Sequence, residues 1–197
     1  AGLVAALLIW NSGFFQARAT AATVGDASLS TAELGYYYHV ARNRFNSTMS
    51  MFGGSGLDNS KSDAEQMYNQ EENKSYRDYF LESALTTAQQ ELALSAEAKK
   101  NGHTEAEVKE DVDAQIKAFK NQAAAYGYSY SAFLRANYGS YMNGGLFEKV
   151  LTRNLLAQIA ENEKSKELSG GSSPADLAAY DTAHDQADTA ATLDYSY

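Results

Sequence analysis

The sequence predicts a mostly helical domain of about five to six helices, with a short strand near its start and a second strand opening at its end. Three observations carry this. Ser30/Glu33, Ser75/Asp78 and Thr104/Glu107 each place a hydroxyl three residues before a carboxylate, the spacing at which the two side chains satisfy free backbone N–H groups at a helix start. Behind each cap, apolar residues recur at helical spacing. One proline and 14 glycines leave long stretches without a forced turn.

Taken in order, Val24-Gly25-Asp26 is a short extended piece with a turn, and Ser30 starts an aromatic helix. Leu29 and Leu34 flank the cap as a hydrophobic staple, and Leu34, Tyr37, Tyr38, Ala41 and Phe45 form one apolar face. Residues 46–63 read as a mobile loop carrying Met49, Met51 and Phe52. Lys61 is preceded by Ser60, so this is no phosphate loop; Asp58, Ser60 and Ser62 alternate like calcium ligands but lack the glycine and closing glutamate of such a loop. Residues 63–72 read as irregular or a short helix.

Ser75 opens a long helix to about Lys100, with Leu81, Leu85, Ala88, Leu92 and Ala96 as its stripe, widened by Phe80 and Ala84, and Asn101-Gly102 as its stop. Thr104 opens the next, which buries Val108, Val112, Ile116, Phe119 and Ala123 and leaves Glu105, Glu107, Glu110, Asp111 and Asp113 in water. A short helix runs from Ser129 through Phe133 and Leu134 to Tyr138-Gly139. After Asn143-Gly144-Gly145 comes a strongly apolar helix with Phe147, Val150, Leu151, Leu155 and Ile159 inward and Leu146 and Leu156 alongside. Ser169 to Ser173 is a hinge, and Ser173-Pro174-Ala175-Asp176 is a fourth cap with proline at the first helical position. Leu193, Tyr195 and Tyr197 then alternate like a strand of a following domain.

Composition sets limits on function. A chain of 197 residues suits one domain, burying roughly 70% of its unfolded surface. The net charge of −9 argues against nucleic acid, whose phosphates need a basic surface. Without cysteine there is no disulfide, thiol catalysis or cysteine-ligated zinc in this chain. Ala1 to Trp10 is an unbroken apolar run, shorter than the ~20 residues of a spanning helix. It reads as the outer part of a membrane anchor or as the tail of a signal peptide ending near Ala17-Arg18-Ala19. Trp10 and Phe14-Phe15 suit an interfacial aromatic belt and favour the anchor. Three parts result: 1–19 as anchor remnant or signal tail, 20–168 as the helical domain, and 169–197 as hinge, helix and the opening of a further domain.

The order of elements resembles the N-terminal chaperone region of SurA/PrsA-type extracytoplasmic foldases, and more closely the membrane-anchored parvulin-associated proteins of Gram-positive bacteria. The residues that carry the resemblance are Trp10-Asn11-Ser12-Gly13-Phe14-Phe15, Ala22-Thr23-Val24-Gly25 leading to Glu33 and Tyr36-Tyr37-Tyr38, and Ser75-Tyr76-Arg77-Asp78-Tyr79-Phe80-Leu81. Ala98-Lys99-Lys100-Asn101-Gly102, Phe133-Leu134 to Tyr138-Gly139, and Leu177-Ala178-Ala179-Tyr180 before Asp194-Tyr195-Ser196-Tyr197 extend it over nearly the whole chain. The resemblance implies a helical module that holds unfolded secreted polypeptides without ATP or another cofactor. It also implies a location outside the cytoplasm, anchored to the membrane or secreted, and a separate parvulin domain for X-Pro isomerisation where one is present.

This chain departs from the parvulin pattern: His39, His103 and His184 share no motif spacing, and no nucleophile elbow or zinc helix occurs. No catalytic site and no metal site is expected in it. Candidate client contacts are Tyr36, Met49, Met51, Phe52, Tyr128, Tyr130, Tyr141 and Met142, because tyrosine offers flat apolar area and methionine adapts to irregular shapes. A homodimer is also compatible with the apolar start. Two rival readings are a non-catalytic helical cell-surface scaffold or adhesion module, and the front portion of an isomerase.

Overall fold

The computed structural model describes residues 18–24, 27–54, 56–170 and 191–193. It is mostly helical, with five α-helices among the described residues. Strands β1 (Thr20–Val24) and β2 (Ala27–Ser30) form an antiparallel hairpin that runs directly into α1 (Thr31–Met51). A 3-10 turn (Asp63–Glu65) and a small hairpin of β3 (Met67–Asn69) and β4 (Lys74–Ser75) follow, then α2 (Tyr76–Lys100), α3 (Lys109–Ala125), α4 (Tyr130–Tyr138) and α5 (Gly144–Gly170). The last strand, β5 (Ala191–Leu193), returns to β1 and pairs antiparallel with it, Ala22 opposite Leu193. The sheet order is therefore β2-β1-β5.

The helix starts at Ser30 and Ser75 form as their sequence dictates. Ser30 Oγ accepts from the Glu33 N–H while the Ser30 N–H donates to Glu33 Oε2, and Ser75 and Asp78 repeat the arrangement. Leu29 is fully buried and Leu34 packs into the same cluster, which closes the staple. Three helix ends are built alike. Gly53, Gly102 and Gly127 take the left-handed conformation, and the next residue's N–H reaches back to the carbonyl of Met49, Ala98 or Ala123.

Several expectations are corrected. Residues 46–51 belong to α1 rather than to a loop, because helical hydrogen bonding continues to the glycine cap at Gly53. Within 63–72, expected as irregular or a short helix, a 3-10 turn leads into the strand Met67–Asn69. Asp58 and Ser60 form a local turn, with Asp58 Oδ1 accepting from the Ser60 N–H and hydroxyl. Thr104/Glu107 does not cap α3, which starts at Lys109 behind Val108 without a side-chain cap. Ala96 is exposed; the inward line of α2 runs through Phe80, Ala84, Ala88, Ser95 and Ala98. Leu193 pairs with this chain's own first strand instead of opening a new sheet. The fourth cap at Ser173, the helix after it, His184, Tyr195, Tyr197, the apolar run Ala1 to Trp10 and Phe14-Phe15 lie outside the described residues. No helix among the described residues is long and apolar enough to cross a membrane.

Helix α2 is the spine, packed along α5 on one side and α1 on the other. Two apolar clusters result. One joins Val112, Leu134, Met142, Phe147, Leu151 and Leu156; the other joins Ala22, Leu29, Tyr37, Ala84, Leu85 and Val150. Tyr36 packs against both.

Candidate functional site

Between α1, α2 and α5 lies a buried polar network. Glu33 and Arg153 are 2% and 8% exposed, and Arg153 Nη1 donates to Glu33 Oε1 at 3.0 Å. Arg153 Nε donates to the Tyr37 hydroxyl at 3.1 Å, and that hydroxyl donates to Glu91 Oε2 at 2.7 Å. Asn154 donates to the other Glu91 oxygen at 3.0 Å, and Lys149 Nζ sits 3.0 Å from Glu33 Oε1. Burial alone would raise the Glu33 carboxyl. The Ser30 N–H and hydroxyl, then Lys149 and Arg153, outweigh it and hold Glu33 below the ordinary carboxylate range. Burial chiefly, and then Glu91, pushes the Tyr37 hydroxyl well up, so it stays protonated as a donor. Nothing in the sequence spacing announces this network, since Arg153 lies 120 residues from Glu33.

Concavities open among the described residues. One, of about 380 Å³, lies between α2 and α5 and is lined by Leu92, Ser95, Lys99, Lys149, Thr152 and Arg153 among others. A second, about 340 Å³, runs beside the β3/β4 hairpin, where Tyr68 stacks on Tyr79 with ring centroids 4.0 Å apart. A third, about 220 Å³, is bounded by His39, Tyr138, Gly139 and Tyr141. Burial, with Arg42 nearby, lowers the His39 imidazole below its ordinary value and favours its neutral form. His103 is different: it bridges Glu107 and Glu163 at 2.9 and 2.8 Å, and those two carboxylates raise it.

The eight expected client contacts separate by exposure into three groups. Met51 and Phe52 are 84% and 83% exposed, with Tyr128 and Tyr141 also open to water. Met142 is corrected: it is fully buried among Leu134, Phe147 and Leu156, because the turn from Gly139 folds it under α5. Tyr36 is partly buried, packed against Tyr37, Tyr138 and Phe147, and burial drives its hydroxyl pKa up. Met49 and Tyr130 are half-buried. Met67, Tyr68 and Tyr126 are exposed apolar residues that the sequence reading left out. Phe52 and Tyr126 occupy the cap position of α1 and α3, and Tyr128 follows the Gly127 turn, so two glycine turns, at Gly53 and Gly127, fix the backbone from which these rings project.

No protein-family model, no curated protein and no solved structure matches this chain.

Proposed function

We propose that this chain is an ATP-independent chaperone or foldase module that binds unfolded polypeptide segments outside the cytoplasm. In this reading it belongs to a membrane-anchored protein of the peptidyl-prolyl isomerase type. Isomerase chemistry, where the parent has it, would reside in a parvulin domain separate from these residues. The observation that carries the reading is the set of large apolar side chains exposed at helix ends: Met51 and Phe52 at the end of α1, Tyr126 and Tyr128 just after α3. A polar residue would serve a helix end as well, so rings left exposed there are available to a partner. Covering Met51 and Phe52 with a client's apolar side chains would contribute about 1.5–3 kcal/mol each, the strength that reversible holding requires. The contact set accordingly leaves Met142 and centres on Met51, Phe52, Tyr126, Tyr128 and Tyr141, with Met67 and Tyr68 added.

The test is suppression of aggregation of a chemically unfolded client by the full chain, without nucleotide, followed by light scattering. The chain should suppress scattering near stoichiometric ratio, and Met51→Ser/Phe52→Ser should weaken suppression several-fold while melting as the parent does. A chain that leaves scattering unchanged at tenfold excess sinks the proposal.

A further inference from the structure

We propose that the concavity between the β3/β4 hairpin and α2 binds a neutral saccharide. Its wall combines unspent hydroxyls, a stacked tyrosine pair and one ion pair that cancels itself, which suits a ring carrying many hydroxyls on an apolar C–H frame. The inference does not rest on the client-binding reading. Tyr68 is common to both, but Met51 and Phe52 do not line this concavity.

The hydroxyls come first. Tyr79, Glu82, Ser83, Thr86 and Thr87 recur at helical spacing along α2 and share the concavity with Tyr68 and Lys74 of the hairpin. Ser50, Ser95 and Thr152 spend their hydroxyls on carbonyls of their own helices, at 2.9, 3.1 and 2.9 Å. Those of Ser83, Thr86, Thr87, Tyr68 and Tyr79 form no hydrogen bond within the described residues. Ser83, Thr87 and Tyr79 are half-buried, yet their hydroxyls reach water: the buried unpaired side-chain atoms among the described residues are the Tyr130 hydroxyl and Arg153 Nη2. Each hydroxyl on this wall can therefore both donate to and accept from an occupant. A sugar hydroxyl has the same double capacity, whereas a carboxylate only accepts and an ammonium only donates. Serine and threonine are also poorer helix formers than the lysine or glutamate that would keep an outer helix face in water. Three of them within residues 83–87 are not explained by the helix itself.

The rings and charges agree with this ligand. Tyr68 stacks on Tyr79 with the ring planes 14° off parallel, and both residues border the concavity. Stacking holds the pair in place, while Tyr68 stays 44% exposed. Aromatic faces are electron-rich and the C–H groups of a sugar ring weakly positive, so an exposed tyrosine gives the apolar side of the sugar a partner. The charged residues of the wall, Lys74 and Glu82, pair with each other and leave no net charge to select an ion. Glu72 acts on Lys74 from outside the wall and adds a negative bias, which turns anions away. Glu82 meets Lys74 through Oε2 and is 59% exposed, so Oε1 remains to accept from a ligand hydroxyl. At about 340 Å³ the concavity falls within the ~300–1,000 Å³ of ordinary small-ligand sites.

The experiment uses the full chain, labelled with ¹⁵N and titrated with cellotriose, maltotriose and triacetylchitotriose, and with glycerol as a polyol that lacks a ring. At least one trisaccharide should shift the amides of Tyr68, Ser83, Thr86 and Thr87 with a Kd of about 1 mM or tighter, and glycerol at equal hydroxyl concentration should not. Tyr68→Ala should weaken the best binder about tenfold. Thr86→Val/Thr87→Val keeps the side-chain shape and removes two hydroxyls. It should weaken binding several-fold while melting as the parent does, whether or not Tyr68→Ala keeps its hairpin. Met51→Ser/Phe52→Ser, the variant that tests client holding, should bind the saccharide as the parent does, so the two readings fail separately. No shifts with any trisaccharide, an equal response to glycerol, unchanged affinity in Thr86→Val/Thr87→Val, or loss of binding in Met51→Ser/Phe52→Ser overturns the proposal.

Discussion

Replacing Glu33 by glutamine tests the central claim about what holds the three long helices together. The carboxylate does two things at once. Oε2 accepts from the Ser30 N–H and hydroxyl at 3.1 and 2.8 Å, and Oε1 accepts from Arg153 and Lys149, each at 3.0 Å. Glutamine is the same shape but has one acceptor oxygen. Whichever way the amide turns, its NH2 faces either the Ser30 N–H or the Arg153 guanidinium, donor against donor. Arg153 also loses its counter-charge at 8% exposure, where solvent gives little compensation. Removing one partner of a buried pair costs about 3–5 kcal/mol, and ~1 kcal/mol shifts the melting point by about 2–4 °C in a domain of this size. A fall of roughly 6–20 °C is expected in Glu33→Gln by circular dichroism. Arg153→Met is milder, because Lys149 still faces Glu33, and the two changes together should show a coupling above ~1 kcal/mol. A fall under ~3 °C for Glu33→Gln, or strict additivity in the double variant, would refute the reasoning.

Acid gives the same network a second readout. Because the Glu33 carboxyl is held below its ordinary 4.5, its contribution is complete above that pH and lost as the pH falls through the lower folded value; Glu33→Gln should flatten the acid limb of a melting profile. His103 works the other way. Raised by Glu107 and Glu163 above its ordinary 6.5, it stabilises fully below that pH and progressively less as the pH climbs through the folded value. The difference in melting temperature between the parent and His103→Gln should therefore be larger at about pH 6 than at about pH 9, and equal differences would refute the bridge. Gly139 has φ +102°, and a Cβ there would stand 3.1 Å from His39 Cδ2. Gly139→Ala should destabilise by more than ~1 kcal/mol in chemical denaturation, whereas a surface glycine of ordinary φ would gain from the same change.

Local chemistry is what the sequence discloses most directly. The starts at Ser30 and Ser75 and the stops at Gly102 and Gly139 each depend on residues within three or four positions, and all four stand where the spacing predicts. The same logic misleads at residues 46–51, whose Asn, Ser, Thr and Met composition reads as a loop while the glycine cap that ends the helix lies at Gly53. It also overlooks the β3/β4 hairpin, whose strands are two and three residues long, too short to show alternation. Thr104/Glu107 has the spacing of a cap, yet Glu107 Oε2 turns to His103 instead. The polar network is hidden for a different reason. Glu33, Tyr37, Glu91 and Arg153 each look like an ordinary surface or stripe residue, and their meeting is decided by how α5 lies across α1 and α2. The burial of Met142 is hidden for that reason too, since a methionine on a loop does not announce which neighbour will cover it.

The pairing of β5 with β1 has a mechanical consequence. Ala22 lies opposite Leu193 and Val24 opposite Ala191, so the leading end of the first strand and the trailing end of the last emerge at the same edge. A load applied between residues just before Thr20 and just after Leu193 would open this seam like a zipper, one rung after another, instead of shearing its rungs together. Tension along the chain would therefore release the final strand at low force while α1, α2 and α5 stay packed, leaving the free edge of β1 open for another strand to join.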